Sequence, residues 1–213
     1  MKIFYVCHIT DLSGASKALL NLVQVVSKDN DVYILLPENK GWLVDELRKI
    51  DVKLYFANYG LMWYPRKLKN FFRLHTIKGM WYSLKNMKSA KRYIYNLLQE
   101  IQPDIVHCNC GPLDISLDAC LKLSIPHIWH LREYQDKDFN CSMFYGKRHF
   151  VKRLHTKGNF NIAITNGVFE HFSLRPCDRV IYDGPIDVNK IVNCSKKDKI
   201  VLFVGNFLKA KKP

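Results

Sequence analysis

Short apolar runs alternate along this chain with longer segments in which apolar residues recur every three or four positions. A run over residues 2–8 precedes a helical stripe over 15–26, and a run over 104–108 precedes another stripe over 113–121. Strands that alternate with helices at these lengths indicate βαβ units and a mostly parallel sheet. The alternation predicts an α/β fold, a Rossmann-like parallel sheet with helices on both faces. Further strands are predicted at 32–36, 52–56, 127–131, 161–165, 180–182 and 200–204, and further helices at 43–50, 84–101 and 168–172.

The composition is that of a globular protein. Of the 213 residues, 48% are hydrophobic, which is enough to bury a core and excludes a disordered or low-complexity chain. No apolar stretch approaches the ~18–20 residues that span a bilayer, and the first residues do not have the pattern of a signal peptide. We expect a domain over 1–186, a polar linker over 187–199, and the first strand and loop of a second domain over 200–213. A lone strand cannot bury both of its faces, so we expect the chain to be a truncated form of a longer protein or to lack its second domain.

Polar side chains follow the predicted strands at the end where open parallel sheets bind ligands. In the first loop, over 8–16, Gly14 permits close approach, and the helix that follows offers free N–H groups to a phosphate. A plain turn with Ser13 as the helix N-cap explains this loop equally well, because neither a dinucleotide nor a P-loop fingerprint is present. Polar groups at the later strand ends are expected to converge with this loop on one site. They are His107 and Asn109, then His130, Arg132 and Glu133, then Thr165, Asn166 and Gly167, and then Asp183 and Gly184.

The cysteine pattern gives little support to a metal site. His107, Cys108 and Cys110 lie close in sequence, and alternation along a strand would point both cysteines to one side. A second pair of ligands at suitable spacing is missing, so we expect no metal here. The seven cysteines are an odd number without CxxC spacing, which predicts free thiols in the cytosol.

Six segments resemble, in order, the motifs of one enzyme family. They are KIFYVCHITDLSGASKALLNL with its glycine loop, IQPDIVHCN, SIPHIWHLREY, NIAITNGVFEHF, VIYDGPID and KIVLFVGNFLKAKKP. Together they resemble the N-terminal half of GT-B-fold glycosyltransferases of family 4, the retaining group that uses nucleotide sugars, and the likeness spans nearly all residues. Asn109 stands in place of a histidine of the family pattern, and Asp183 in place of an asparagine. Asn206 and Lys212 also depart from the pattern, whereas Lys211 falls on the family's lysine that contacts donor phosphates.

The resemblance implies a hexosyltransferase that needs no metal and no cofactor. A sugar would pass from a nucleotide diphosphate sugar to a lipid-linked or polysaccharide acceptor, in cell-envelope or exopolysaccharide biosynthesis. His130 falls on the family's active-site histidine and would act as the catalytic residue by hydrogen-bonding the transferred sugar. The loop of Ser13, Gly14 and Ala15 would lie against the donor phosphates, across the cleft between two domains. The resemblance further implies donor-phosphate or substrate binding by Asn109, Arg132, Glu133, Thr165, Asn166, Asp183, Gly184, Gly205 and Lys211.

The family's paired-glutamate donor motif belongs to the second domain and would lie beyond residue 213. We therefore expect the chain by itself to have little or no transferase activity. A second interpretation stays open, namely a non-catalytic, Rossmann-like module that binds a nucleotide or a polyanion. A further ~150–180 residues, carrying two glutamates near a helix start, would favour the enzyme. A natural stop after Pro213 would favour the binding module.

Most of the formal net charge of +14 lies in one stretch. Residues 62–99 contain nine Lys or Arg and no Asp or Glu, with aromatic residues between them. Three interpretations compete: a solvated basic face, a nucleic-acid site, and docking on an anionic membrane surface. No nucleic-acid motif accompanies the charge, so we expect no nucleic-acid partner. A lipid-linked acceptor favours a cytoplasmic protein held peripherally on the inner face of the membrane. The residues expected to face the membrane are Trp63, Arg66, Lys67, Lys69, Phe71, Phe72, Arg73, Trp81, Lys85 and Lys88.

Overall fold

Strands and helices alternate along the chain in the computed structural model. It describes residues 1–61, 63–65, 74–139, 141–143 and 145–184, with the backbone alone at residues 65 and 74–83. The elements are β1 (Lys2–Val6), α1 (Gly14–Val26), β2 (Asp31–Leu36), α2 (Trp42–Leu47), β3 (Lys53–Phe56), β4 (Trp63–Pro65), α3 (Leu74–Ile101), β5 (Ile105–Cys108), α4 (Leu117–Leu123), β6 (His127–Leu131), β7 (Cys141–Met143), α5 (Gly146–Leu154), β8 (Asn159–Ala163), α6 (Asn166–His171) and β9 (Arg179–Val180).

Seven of the described strands form one sheet in which every neighbouring pair is parallel. Their order is β3-β2-β1-β5-β6-β8-β9. Side chains of β1 alternate between two cores: Phe4 and Val6 pack with α3, α4, α5 and α6, whereas Tyr5 packs with α1 and α2. Cys7, just after the strand, continues the alternation and packs with Tyr5. A parallel strand that is covered on both faces needs apolar residues at successive positions, as β1 has. The predicted α/β class, a parallel sheet with helices on both faces, is confirmed.

The strand order reverses next to β1. From β1 the chain runs through β2 to β3 on one side of the sheet, and it then enters β5 on the other side. Val6 pairs with both Leu35 of β2 and Cys108 of β5. The N–H of Asn109 also donates to the carbonyl of Val6 over 2.8 Å, which extends the β1–β5 pairing to the loop. The loops after β1 and β5 therefore leave the sheet side by side, and a reversal of this kind is where open α/β sheets bind ligands.

Four elements differ most from the sequence prediction. Helix α3 begins at Leu74 rather than near residue 84, because basic and aromatic residues mask the helical period of its first turns. The antiparallel ribbon of β4 and β7 is not predicted, since each strand has three residues and is too short to show alternation. Helix α5 is also missed: its sequence GKRHFVKRL buries Phe150 and Leu154, which is too sparse an apolar pattern to predict a helix.

Helix α3 separates its apolar and basic residues, as predicted. Met87 and Leu98 are buried, whereas Lys85, Lys88 and Arg92 are exposed. No described helix is both long enough and apolar enough to cross a membrane. Of the other residues predicted to face a membrane, Trp63 lies on β4 and the backbone of Trp81 lies in α3. Arg66, Lys67, Lys69, Phe71, Phe72 and Arg73 lie outside the described residues, as do the predicted linker over 187–199 and the segment 200–213.

Candidate functional site

A cleft of about 1220 Å³ lies at the carboxyl edge of the sheet, beside the strand reversal. Its walls come from the loops after β1, β6 and β9 and from α1 along its length. The volume exceeds the ~300–1000 Å³ typical of pockets for one small ligand. Loops that are far apart in sequence meet here because the strands that carry them are parallel. Of the residues predicted to bind substrate, the cleft is lined by Ser13, Gly14, Ala15, His130, Arg132, Glu133, Asp183 and Gly184.

The first turn of α1 brings two backbone N–H groups to the cleft. Ser13 is the N-cap: its Oγ accepts from the N–H of Ser16 over 3.1 Å, and its carbonyl accepts from the N–H of Lys17 over 3.0 Å. The N–H groups of Gly14 and Ala15 therefore have no partner within the helix. A Cβ added at Gly14 would meet no described atom within 4 Å, so the space above this turn is open. Two free N–H groups and the positive end of the helix dipole make a site for an anion.

Arg132 connects the loops around the cleft. Its side chain is 5% exposed. Its Nε donates to Oδ1 of Asn109 over 3.0 Å, and its Nη1 donates to Oδ1 of Asp183 over 2.6 Å. Asn109 in turn donates from Nδ2 to the carbonyl of Ala15 over 3.3 Å. A buried charge is tolerated only with partners of this kind, and these partners join the ends of β5, β6 and β9 to the first turn of α1.

The hydrogen bonds of His130 determine which of its ring nitrogens carries the proton. Nη2 of Arg132 lies 3.4 Å from Nδ1 of His130, and a guanidinium group only donates, so Nδ1 is an acceptor. Nε2 of His107 lies 3.2 Å from the same Nδ1 atom. In the neutral ring the proton is therefore on Nε2, which is buried and has no partner among the described residues. A buried donor without a partner costs roughly 1–3 kcal/mol, and a ligand that accepts this hydrogen bond would remove that cost.

Burial keeps His8, His107 and His130 uncharged at neutral pH. Burial, and secondly the charge of Arg132, lowers the pKa of His130 to about 3 and the pKa of His8 to about 4. The pKa of His107 lies well below its usual range, through burial first and then through His130 and Arg132. His130 is therefore a neutral hydrogen-bond donor near pH 7 rather than a charged acid.

Some predicted site residues are placed elsewhere. Thr165 is the N-cap of α6, and its Oγ1 accepts from the N–H of Val168 over 3.2 Å. Although Thr165 and Asn166 are both described, neither lines the cleft. Gly205 and Lys211 lie outside the described residues. Within the described residues, no group of three or more His, Cys, Asp or Glu side chains is arranged to hold a metal ion.

The cleft also contains residues that the sequence does not place there. His8 and Lys17 line it, and only Lys17 has a signal in the sequence, as a basic residue one turn into the helix that follows Gly14. Gln135 lines the cleft and donates from Nε2 to Oε2 of Glu133 over 2.9 Å. Trp63, which the sequence predicts to face a membrane, lines the cleft and is 38% exposed.

Comparisons with known proteins find similarity in structure alone. No protein-family model matches the chain, and no curated protein matches it. Among solved structures it is similar to HepE (Alr3699) of Anabaena in complex with UDP-glucose, at 16% identity over 89% of this chain and 45% of that one, with a TM-score of 0.57. It is also similar to the lipopolysaccharide outer core galactosyltransferase WaaB, at 13% identity over 90% and 48% of the two chains and a TM-score of 0.56. A third is UGT89C1 of Arabidopsis thaliana complexed with UDP, at 12% identity over 88% and 50%, with a TM-score of 0.56.

These neighbours share a fold and differ in sequence. The chain spans about half the length of each of them. Because the sequence identity is below a fifth, the similarity is one of architecture. Architecture alone does not determine activity. The neighbours are GT-B glycosyltransferases, and the described chain has the Rossmann-like fold of one half of a GT-B glycosyltransferase.

Proposed function

We propose that this chain is the acceptor-side, N-terminal domain of a retaining family 4 glycosyltransferase. The sugar would move from a nucleotide diphosphate sugar to a lipid-linked or polysaccharide acceptor in cell-envelope or exopolysaccharide biosynthesis. The observation that carries the proposal is the buried Nε2–H of His130, which has no partner among the described residues and belongs to a residue that lines the cleft. The structures of HepE with UDP and with UDP-glucose support this class of donor.

In this proposal the donor diphosphate binds at the first turn of α1. The N–H groups of Gly14 and Ala15 contact phosphate oxygens, and the ammonium group of Lys17, which lines the same cleft, adds a positive charge. Negative charge grows on the diphosphate as the sugar leaves. Fixed N–H groups and a helix dipole stabilise such charge without a metal, because they need no reorganisation during the reaction.

His130 donates from Nε2 to a hydroxyl of the transferred sugar, close to the reacting carbon. Arg132 acts as a positioning residue in this scheme, because its guanidinium group already donates to Asn109, to Asp183 and towards Nδ1 of His130. The Arg132 contact holds His130 in the tautomer whose Nε2 carries the proton. Glu133 accepts from Nε2 of Gln135 and lines the same cleft.

A donor screen by nucleotide release on the full-length protein tests the proposal. We expect release of the nucleotide from one sugar donor, dependent on an acceptor and unaffected by a metal chelator. The 213-residue chain by itself is expected to bind nucleotide weakly and to release little or none. Nucleotide binding without release from any donor would contradict the proposal and favour the non-catalytic module that binds a nucleotide or polyanion.

We further propose that the basic residues of α3 hold the protein on an anionic membrane surface at the cytoplasmic side. Lys85, Lys88 and Arg92 are exposed on a helix whose other face is buried. Each basic residue near such a surface contributes ~1 kcal/mol, and salt screens this attraction. Co-sedimentation with phosphatidylglycerol vesicles is expected at 0.05 M salt and to be lost at 1 M salt. Equal binding to neutral phosphatidylcholine vesicles would contradict this part of the proposal.

A further inference from the structure

A second pocket lies between α3 and α5, away from the residues placed in the sugar-transfer site. Its volume is about 240 Å³. Met87, Met143 and Phe150, each 5% exposed or less, form its interior, and Leu84 and Pro112 form part of its wall. The volume is below the ~300–1000 Å³ of pockets that enclose a whole small ligand. The pocket therefore suits an apolar part of a larger molecule, and methionine side chains adapt readily to such a part.

Basic residues are concentrated on the two helices beside this α3–α5 pocket, and three of them line it: Lys88, Lys91 and Arg153. Residues 84–92 of α3 contain four Lys or Arg, α5 contains four more, and neither segment has an acidic residue. Among the described residues, Asp114 is the acidic group that lines the pocket, and it accepts from Arg153 over 2.7 and 2.8 Å. Lys91 is likewise paired with Asp118 over 2.9 Å. After these pairings Lys88 and His149 still line the pocket, and both are exposed.

We infer that the α3–α5 pocket binds an anionic phospholipid of the membrane surface, with the end of one acyl chain between Met87 and Phe150 and the phosphate at the mouth near Lys88. An apolar interior below a cationic mouth is complementary to an amphiphile with an anionic head. The inference rests on the membrane association proposed above and is independent of sugar transfer. It adds a defined lipid site to what would otherwise be attraction between a charged helix and a charged surface.

Methionine-methyl NMR of the full chain with decyl phosphate, an anionic single-chain amphiphile, tests the pocket directly. The chain has five methionines. Met87 and Met143 line the pocket, whereas Met1, the first residue, is 67% exposed. We expect saturable shifts of the Met87 and Met143 signals, no shift of Met1, and no shift of either pocket signal with inorganic phosphate. Absent shifts at Met87 and Met143, or equal shifts at Met1, would overturn the inference.

Vesicles that contain phosphatidylglycerol test whether the membrane is the source of this ligand. Leu84→Asp places a charge in the pocket wall, and Leu121→Asp is the matched control, because Leu84 and Leu121 are both 36% exposed. We expect Leu84→Asp to weaken vesicle binding at least about tenfold more than Leu121→Asp. Lys88→Glu should weaken it roughly twenty- to thirtyfold, since one unit of charge near the surface is worth about fivefold. Lys28→Glu, in the exposed turn that follows α1, should change it by less than about threefold.

The outcomes separate this inference from the membrane proposal. If Leu84→Asp and Leu121→Asp have equal effects while the unaltered chain still binds vesicles, the pocket is not a lipid site and general electrostatic attachment explains the binding. If the unaltered chain does not bind vesicles, both the lipid site and the membrane proposal are contradicted. A change in oligomeric state on Leu84→Asp, measured by light scattering without vesicle binding, would make the pocket a contact between copies of the chain and overturn the lipid site.

Discussion

His127 and His130 lie on the same strand, β6, and their hydrogen bonds differ. Nδ1 of His127 lies 2.7 Å from Oδ1 of Asn159, whose Nδ2 donates to the carbonyl of Leu154, so this ring nitrogen carries the proton. Nε2 of His127 then accepts from the hydroxyl of Ser116 over 2.9 Å. Both nitrogens of His127 are satisfied inside the protein, whereas Nε2 of His130 is not. The first ring fits a structural role and the second a role in binding a ligand.

The two histidines provide a matched pair of variants. We expect His130→Ala in the full-length protein to lower kcat by roughly 10²–10³, as for other single donors to a transition state, with a small change in unfolding temperature. His127→Ala should instead leave the kcat of the folded fraction nearly unchanged. It should lower the free energy of unfolding by roughly 1–3 kcal/mol for each partner left unsatisfied. Nucleotide-release kinetics and thermal unfolding measure both effects. Loss of folding in His130→Ala would instead indicate that His130 has a structural role.

At the scale of elements, α2 fixes the loop that leads from β1 to α1. Gly41 precedes α2 with φ 119° and ψ 162°, a conformation that only glycine adopts readily. A Cβ at Gly41 would lie 2.8 Å from the carbonyl oxygen of Thr10, which also accepts from the N–H of Leu43. The buried Thr10 therefore packs directly on the backbone of this turn.

We predict that Gly41→Ala lowers the free energy of unfolding by about 1–3 kcal/mol, because the new methyl group meets backbone atoms and the positive φ is unfavourable for alanine. Gly14→Ala is the control, since its position is helical and a Cβ there is unobstructed. The control should leave the free energy of unfolding unchanged or raise it by up to about 1 kcal/mol. Urea denaturation followed by circular dichroism compares the two, and equal stabilities would contradict the role of Gly41.

The sequence predicts the elements that show a hydrophobic period and a clear order along the chain. It misses the elements that form only because short segments distant in sequence pair with each other. The ends of β1, β5 and β6 meet because parallel strands have their carboxyl ends on one edge, so His130, Asn109 and Gly14 could be placed near one another in advance. The β4–β7 ribbon pairs Trp63 with Met143. Its short strands carry no alternation of their own, so the position of Trp63 at the cleft follows only from tertiary contacts.

For the whole molecule, the class of fold follows from alternating strands and helices, and the partners of the buried polar groups do not. The sequence places Arg132 at a strand end, and the family resemblance implies that it binds donor phosphate or substrate. In the structure it donates to Asn109 and Asp183, on strand ends that are not adjacent in sequence. The same arrangement leaves His107 and His130 in contact, buried, and next to a permanent positive charge. The folded chain therefore buries several histidine rings in surroundings that favour their neutral form.

Acid should therefore destabilise the domain before its carboxylates are protonated. The pKa of His127 is about 4 and that of His130 about 3 in the folded chain, through burial, against ~6.5 in the unfolded chain. Below pH ~6.5 the unfolded chain binds more protons than the folded chain. The contribution of these groups to the free energy of unfolding is therefore fully present above pH ~6.5 and falls as the pH drops towards about 4. Each such group contributes up to ~1.4 kcal/mol per pH unit in that interval. Burial also depresses the pKa of His107, which acts in the same direction.

Urea unfolding at pH 7.5, 6.5, 5.5 and 4.5 measures this slope. The carboxyl groups of Asp118 and Asp178 have lowered pKa values, so their ion pairs are lost only below ~3.8 and fall outside this interval. We expect His127→Gln, whose side chain does not titrate, to reduce the slope between pH 6.5 and 4.5 by about one proton, whatever its effect on stability at pH 7.5. A slope near zero in the unaltered chain would show that these histidines titrate alike in the folded and unfolded chains, and would contradict their burial as neutral groups.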